Sequence, residues 1–194
     1  MLVGLNTSRS HMWGFDSFQG MPDSDATDRA HHQHVSSWRS GGLNAAEQLK
    51  LTRWSELRAA ILGNIAHGVA GRVHLMRGFF NESLAPGLRL ARARGMRPAR
   101  LIDFDCDLAS STRQALSFMI KAQLLVPGSY VYYDDASKTQ WASQNATEQT
   151  LAHRQMSAAY GLQWEMLRCR WPKSWQWRAV LRLTACERCP VSSR

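Results

Sequence analysis

Short apolar runs alternate with helix-spaced stretches along most of this chain. Met12-Trp-Gly-Phe15 is an apolar run closed by Asp16 and followed by the turn-prone Ser17-Phe-Gln-Gly-Met-Pro22, which predicts a strand running into a tight turn. Residues 23–42 are polar and aperiodic and are expected to form a loop. Leu49, Leu57, Ile61 and Leu62 place a helix over 43–66, and 72–76 is the next strand, ending in Arg77-Gly-Phe-Phe80. A helix–loop segment with Pro86 near its start is expected over 81–97. Two further apolar runs follow, Leu101-Ile-Asp-Phe-Asp105 and residues 124–133, with Pro127-Gly128 as the turn that launches the second strand from Ser129. Between them Ser110, Ser111 and Thr112 offer N-cap hydroxyls, and Ala115, Leu116, Met119 and Ile120 recur at helical spacing. Residues 145–160 predict a helix closed by Gly161, and 162–169 with 177–184 predict an antiparallel pair. The order implies a mixed, doubly wound α/β sheet in one domain, residues 1–194.

The chemistry sits where two of these strands end. A strand, a crossover helix and a parallel strand take about 30 residues, so Asp105-Cys106-Asp107 and Asp134-Asp135 are expected on the same carboxyl edge of the sheet. Neighbouring strands lie about 4.8 Å apart. Like charges that close need a cation or a shared proton, so the pattern reads as a hard-metal site.

Composition narrows the partners. The 194 residues carry a net charge of +9, with 44% hydrophobic and 20% charged residues, which suits one globular domain. No apolar run reaches the roughly 18 residues of a membrane span, and the start lacks a signal-peptide pattern, so a cytoplasmic protein is expected. The basic stretch from Arg89 through Arg92, Arg94 and Arg97 to Arg100 has no interleaved aromatics, and a solvated helix face is preferred over a specific nucleic-acid site. Four cysteines do not make a disulfide framework at this size. Cys186-Glu-Arg-Cys189 has half a zinc site's spacing, with His31-His32-Gln-His34 as a candidate second half, but a frayed tail and a polar loop are the plainer expectation.

Four motifs occur in order: Gly14-Phe-Asp-Ser-Phe-Gln-Gly-Met-Pro22, Gly78-Phe-Phe-Asn-Glu-Ser-Leu84, Asp105-Cys-Asp-Leu-Ala-Ser-Ser-Thr112 and Val126-Pro-Gly-Ser-Tyr-Val-Tyr-Tyr-Asp-Asp135. Over roughly residues 12–184 the chain resembles the macrocin O-methyltransferase family, S-adenosylmethionine-dependent enzymes that methylate sugar hydroxyls on natural products. The resemblance implies a Rossmann-like class I methyltransferase fold. It also implies magnesium held by Asp105, Asp134 and Asp135, Asp107 as the general base, and Asp16 with its neighbour Ser17 at the cofactor ribose. The implied partner is a small-molecule hydroxyl substrate, a sugar or glycosylated compound, with a homo-oligomer left open. Such enzymes begin with a strand and a glycine-containing loop for the methionine part of the cofactor. This chain is expected to lack them, being N-terminally truncated or crippled at that site. Ala109 stands where family members often carry Tyr.

Three alternatives stand beside this. One is a catalytically impaired protein that keeps the methyltransferase fold. Another is a haloacid dehalogenase-type phosphatase, which needs a lysine motif and an insertion where this chain has a single crossover helix. A metal–nucleotide glycosyltransferase explains neither Asp16 nor Asp134-Asp135.

Overall fold

Two parallel strands open the structure, β1 (Met12–Asp16) and β2 (Val73–Arg77), registered from Met12 opposite Val73 to Asp16 opposite Arg77. The computed structural model describes residues 10–23, 28, 39–65, 70–137, 148–170 and 177–190. These divide into two compact units, one of residues 1–23 with 37–96 and one of residues 24–36 with 97–194.

In the first unit, α1 (Ala45–Gln48) and α2 (Trp54–Gly63) replace the single helix expected over 43–66. The break is a helix stop without a glycine. Lys50 takes φ 53° and the Leu51 amide reaches back to the Ala46 carbonyl at 2.9 Å, a Schellman closure with Lys in the left-handed position. After a 3-10 turn, Ala70–Arg72, comes β2, and then α3 (Phe80–Ala93), with Pro86 in its second turn. That helix packs on β1 and β2 through Leu84, Gly87 and Ala91. A methyl group on Gly87 would press on the Phe15 ring at 3.3 Å, so the glycine lets helix and strand approach closely.

The second unit is built on β3 (Leu101–Phe104), α4 (Ala109–Lys121), β4 (Tyr130–Ser137), α5 (Glu148–Tyr160), β5 (Leu162–Arg170) and β6 (Trp177–Cys186). Its sheet runs β3-β4-β6-β5, parallel between β3 and β4 and antiparallel elsewhere. The mixed sheet and the C-terminal antiparallel pair are as expected. Ile102, Phe104, Val131, Tyr133, Leu181 and Leu183 are buried, as are Leu116, Met119 and Ile120 of α4 and Ala152 and Met156 of α5. Their strand partners Leu101, Asp103 and Arg182 are exposed, the one-in, one-out period of a sheet with a single core face. Gly161, at φ 62°, closes α5 as its position predicts.

The frayed tail is corrected here, and the disfavoured zinc alternative finds no support in the cysteines. Cys186 and Cys189 are bonded to each other, Cα atoms 5.5 Å apart; His31, His32 and His34 lie outside the described residues. The tail is not frayed as far as residue 190. The Glu187 and Arg188 amides bond to the Gly161 and Tyr160 carbonyls, and the Arg188 guanidinium donates to the Ala158 carbonyl at 2.7 Å. No helix among the described residues is long and apolar enough to cross a membrane.

The turn after β1 depends on one glycine. Gly20 has φ 86°, and a Cβ there would collide with the carbonyl oxygens of Gly41 and Gly42. Those two residues pair with Met21, at 2.9 and 2.8 Å. Gly41 has φ 74° but opens onto free space. Gly20→Ala is therefore expected to cost about 2 kcal/mol or more and Gly41→Ala about 1 kcal/mol. Urea midpoints of the two variants check this, and equal losses would contradict it.

Candidate functional site

The acidic edge follows from strand register. Leu101 lies opposite Tyr130 and Phe104 opposite Tyr133, so the next residues, Asp105 and Asp134, are brought to one level of the sheet. Alternation then puts a further carboxylate beside them. Ile102 and Phe104 are buried, which turns Asp103 and Asp105 to the opposite, exposed side. Asp103 has its pKa raised by partial burial first and by the Asp105 and Asp134 charges next. The Tyr132 hydroxyl donates to Asp134 Oδ1 at 3.1 Å.

The second acidic pair is not a strand exit. β4 continues through it to Ser137, and its pairing with β6 shifts register between Tyr132 and Ser137. An irregularity of that kind re-aims side chains beside it. The side chain of Asp135 lies outside the described residues. Among those residues no group of three or more His, Cys, Asp or Glu side chains is gathered closely enough to hold a metal ion.

Asp107 differs from Asp105, two residues before it, in its backbone. It takes φ 55°, and the Leu108 amide donates to the Cys106 carbonyl at 2.5 Å across it. A bond over so short a span with positive φ is an uncommon, strained turn. α4 starts immediately afterwards from Leu108, not from the expected hydroxyls of Ser110–Thr112. Leu108 is its N-cap and contributes no side-chain bond, while the Thr112 hydroxyl donates to the Leu108 carbonyl at 2.9 Å.

Behind the edge lies a buried polar line from α5. Gln149, fully buried, donates to the Phe104 carbonyl at 3.2 Å, satisfying the last backbone acceptor of β3. Tyr133 is fully buried, stacked on Phe104 with ring centres 5.3 Å apart, and its hydroxyl is hydrogen-bonded to His153 Nδ1 at 3.0 Å. Burial first and the nearby Cys106 next push the Tyr133 pKa well above its ordinary value. His153 meets the Trp164 ring at 4.8 Å and is driven down to about 3, by burial first and by the Arg154 charge second.

In the other unit, Asp16 ends β1 and its carbonyl accepts the Gly78 amide at 2.9 Å. Its carboxylate accepts the Phe18 amide at 2.5 Å. It remains solvent-accessible, yet surrounding protein thins its hydration enough to raise its pKa against the lowering effect of that amide. Ser17 is buried, and its hydroxyl donates to the Gly20 carbonyl at 2.8 Å while accepting the Gln19 amide at 3.0 Å. Phe18, at φ 55°, packs on Trp54, and the Arg77 guanidinium lies over the same indole at 5.8 Å.

The structure thus brings Asp105 and Asp134 together, and sets Asp107 in a turn of its own. It places Asp16 and Ser17 on one turn of the first unit. Asp103 is an addition that the alternation of β3 would have disclosed. Asp28 is another, described below, with no signal in its aperiodic segment.

A family model described as Macrocin-O-methyltransferase (TylF) matches residues 1–161. Among solved structures, the crystal structure of a calicheamicin methyltransferase is similar, with a TM-score of 0.56 and 22% identity over 90% of this chain and 61% of that one. The apo structure of a TDP-rhamnose 3′-O-methyltransferase from calicheamicin biosynthesis matches with a TM-score of 0.45 and 20% identity over 90% of this chain and 58% of that one. The chain therefore spans less than two thirds of either. Among curated proteins it has no match.

The buried imidazole gives a pH test. The folded pKa of His153 lies below the unfolded value of about 6.5, so the unfolded chain takes up the proton more readily. Its stabilisation is complete above about pH 6.5 and falls by about 1.4 kcal/mol per pH unit as pH drops toward the folded pKa. The stability gap between wild type and His153→Phe should shrink accordingly from pH 7 to pH 4 in denaturant titrations. A gap independent of pH would contradict the assignment.

Proposed function

The chain belongs to the macrocin-O-methyltransferase family, and from that premise we propose that it transfers a methyl group to a hydroxyl of a sugar or glycosylated small molecule. Residues 1–194 would serve as one methyltransferase-like domain. The observation that carries the reading is the electrostatic neighbourhood of Asp103, Asp105 and Asp134, at the carboxyl ends of a parallel strand pair, where doubly wound sheets bind their ligands. Asp16 and Ser17 support it from the other unit. An accessible carboxylate at the end of β1 suits the paired hydroxyls of a ribose, and the Ser17 hydroxyl fixes the turn that presents it.

S-adenosylmethionine, when bound, supplies the methyl group on a sulfonium, the donor expected for this family. Asp105, Asp134 and Asp135 would hold magnesium, since an all-carboxylate oxygen set suits a hard cation. The ion's chemistry there would be to lower the pKa of an acceptor hydroxyl. Asp107, held in its left-handed turn, takes the hydroxyl proton as the oxygen attacks. Tyr132 orients Asp134 through its hydroxyl. The buried line of Phe104, Tyr133, His153 and Gln149 keeps the edge rigid from behind.

Calorimetry with S-adenosylmethionine and magnesium, paired with labelled methyl transfer to a panel of sugar hydroxyls, tests this. Asp107→Asn should leave magnesium affinity unchanged and slow methyl transfer by about 10²- to 10⁴-fold, whereas Asp134→Asn should weaken magnesium binding. Absence of cofactor binding by the folded chain, or full activity in both variants, would count against the reading.

A further inference from the structure

We propose that Asp28 is a positioning residue for the Asp105–Asp107 turn. The inference rests on the methyltransferase reading for its kinetic consequence, and on geometry alone for its structural one. The first amides of a helix have no partner within it and need an acceptor at the cap. Leu108, the N-cap of α4, offers none from its side chain. The acceptor comes instead from 82 residues away: Asp28 Oδ1 takes the Ser110 amide at 3.1 Å and Oδ2 takes the Ser110 hydroxyl at 2.5 Å. Asp28 is fully buried, so water cannot replace these bonds, and its charge faces the end of the helix dipole that favours an anion.

Three residues before Ser110 stands Asp107, in the left-handed region with the Leu108 amide bonded across it. A side chain other than glycine keeps such a conformation when the chain is held on both sides. Upstream, β3 is held by its pairing with β4 and by Gln149 on the Phe104 carbonyl. Downstream, Leu108 and Ala109 are fully buried, and Asp28 pins the next residue, Ser110, at its amide and its hydroxyl. Without that clamp the first turn of α4 loses an acceptor, and Asp107 is free to relax toward an ordinary backbone and away from its working position.

The test compares Asp28→Ala, Asp28→Asn and Ser110→Ala in the full chain by amide hydrogen exchange and steady-state kinetics. Asp28→Ala should speed exchange at the Leu108 and Ser110 amides about tenfold while amides of the β5–β6 pair stay protected. It should lower kcat by about ten- to a hundredfold with little change in KM for the methyl acceptor. Asp28→Asn, which keeps an acceptor oxygen, should restore part of both, and Ser110→Ala added to Asp28→Ala should add little. If Asp28→Ala does not fold, Ser110→Ala alone, which spares the amide bond, should show the same two effects at smaller size. Unchanged exchange at Leu108 and Ser110 overturns the proposal, as does a raised KM at constant kcat. Faster exchange together with an inactive wild type supports the clamp and sinks the methyl-transfer reading by itself.

Discussion

The candidate site depends on the parallel, in-register pairing of β3 with β4 across the α4 crossover. That register sets Asp105 beside Asp134, and the alternation of β3 adds Asp103 on the same side. Shifting the register by one residue would turn Ile102 and Phe104 outward and carry the carboxylates into the core. Burial of those two side chains, with Val131 and Tyr133 opposite them, therefore fixes the placement of the acids. Packing energy in the core holds like charges together at the rim, where they repel.

The proposed binding edge carries that repulsion. Carboxylates gathered at one edge repel one another, and a cation, a proton or a ligand offsets that repulsion. The chain meets part of the cost with a neutral donor, the Tyr132 hydroxyl on Asp134. Asp107 sits in a left-handed turn, and in the proposed reading it serves proton transfer while the other acids serve oxygen ligation. Rigidity comes from α5, where Gln149 and the Tyr133–His153 hydrogen bond occupy polar atoms that the sheet would otherwise leave buried and unpaired.

Much of this was legible in the amino-acid order, because strands that end in acids and turns marked by Pro127-Gly128 or Gly161 carry local signals. What was hidden is decided by contacts distant in sequence or by unusual residues in ordinary roles. Lys50 and Gln123 end helices in the left-handed conformation usually given to glycine, so the break between α1 and α2 left no mark. The N-cap of α4 was expected among hydroxyl residues, but the acceptor is Asp28, brought from an aperiodic segment. The extension of β4 to Ser137 depends on β6, whose pairing offers partners beyond the acidic pair. Asp103 was within reach: parity with Ile102 and Phe104 assigns it to the acidic side.

The most direct measurement of the central claim is a carbon-detected NMR titration of the Asp103 carboxyl in wild type and in Asp134→Asn. Partial burial, with the Asp105 and Asp134 charges added to it, predicts a wild-type pKa above the ordinary carboxylate value, lowered in part when the Asp134 charge is removed. An ordinary pKa in wild type, unmoved in the variant, would mean that the register does not bring these acids together.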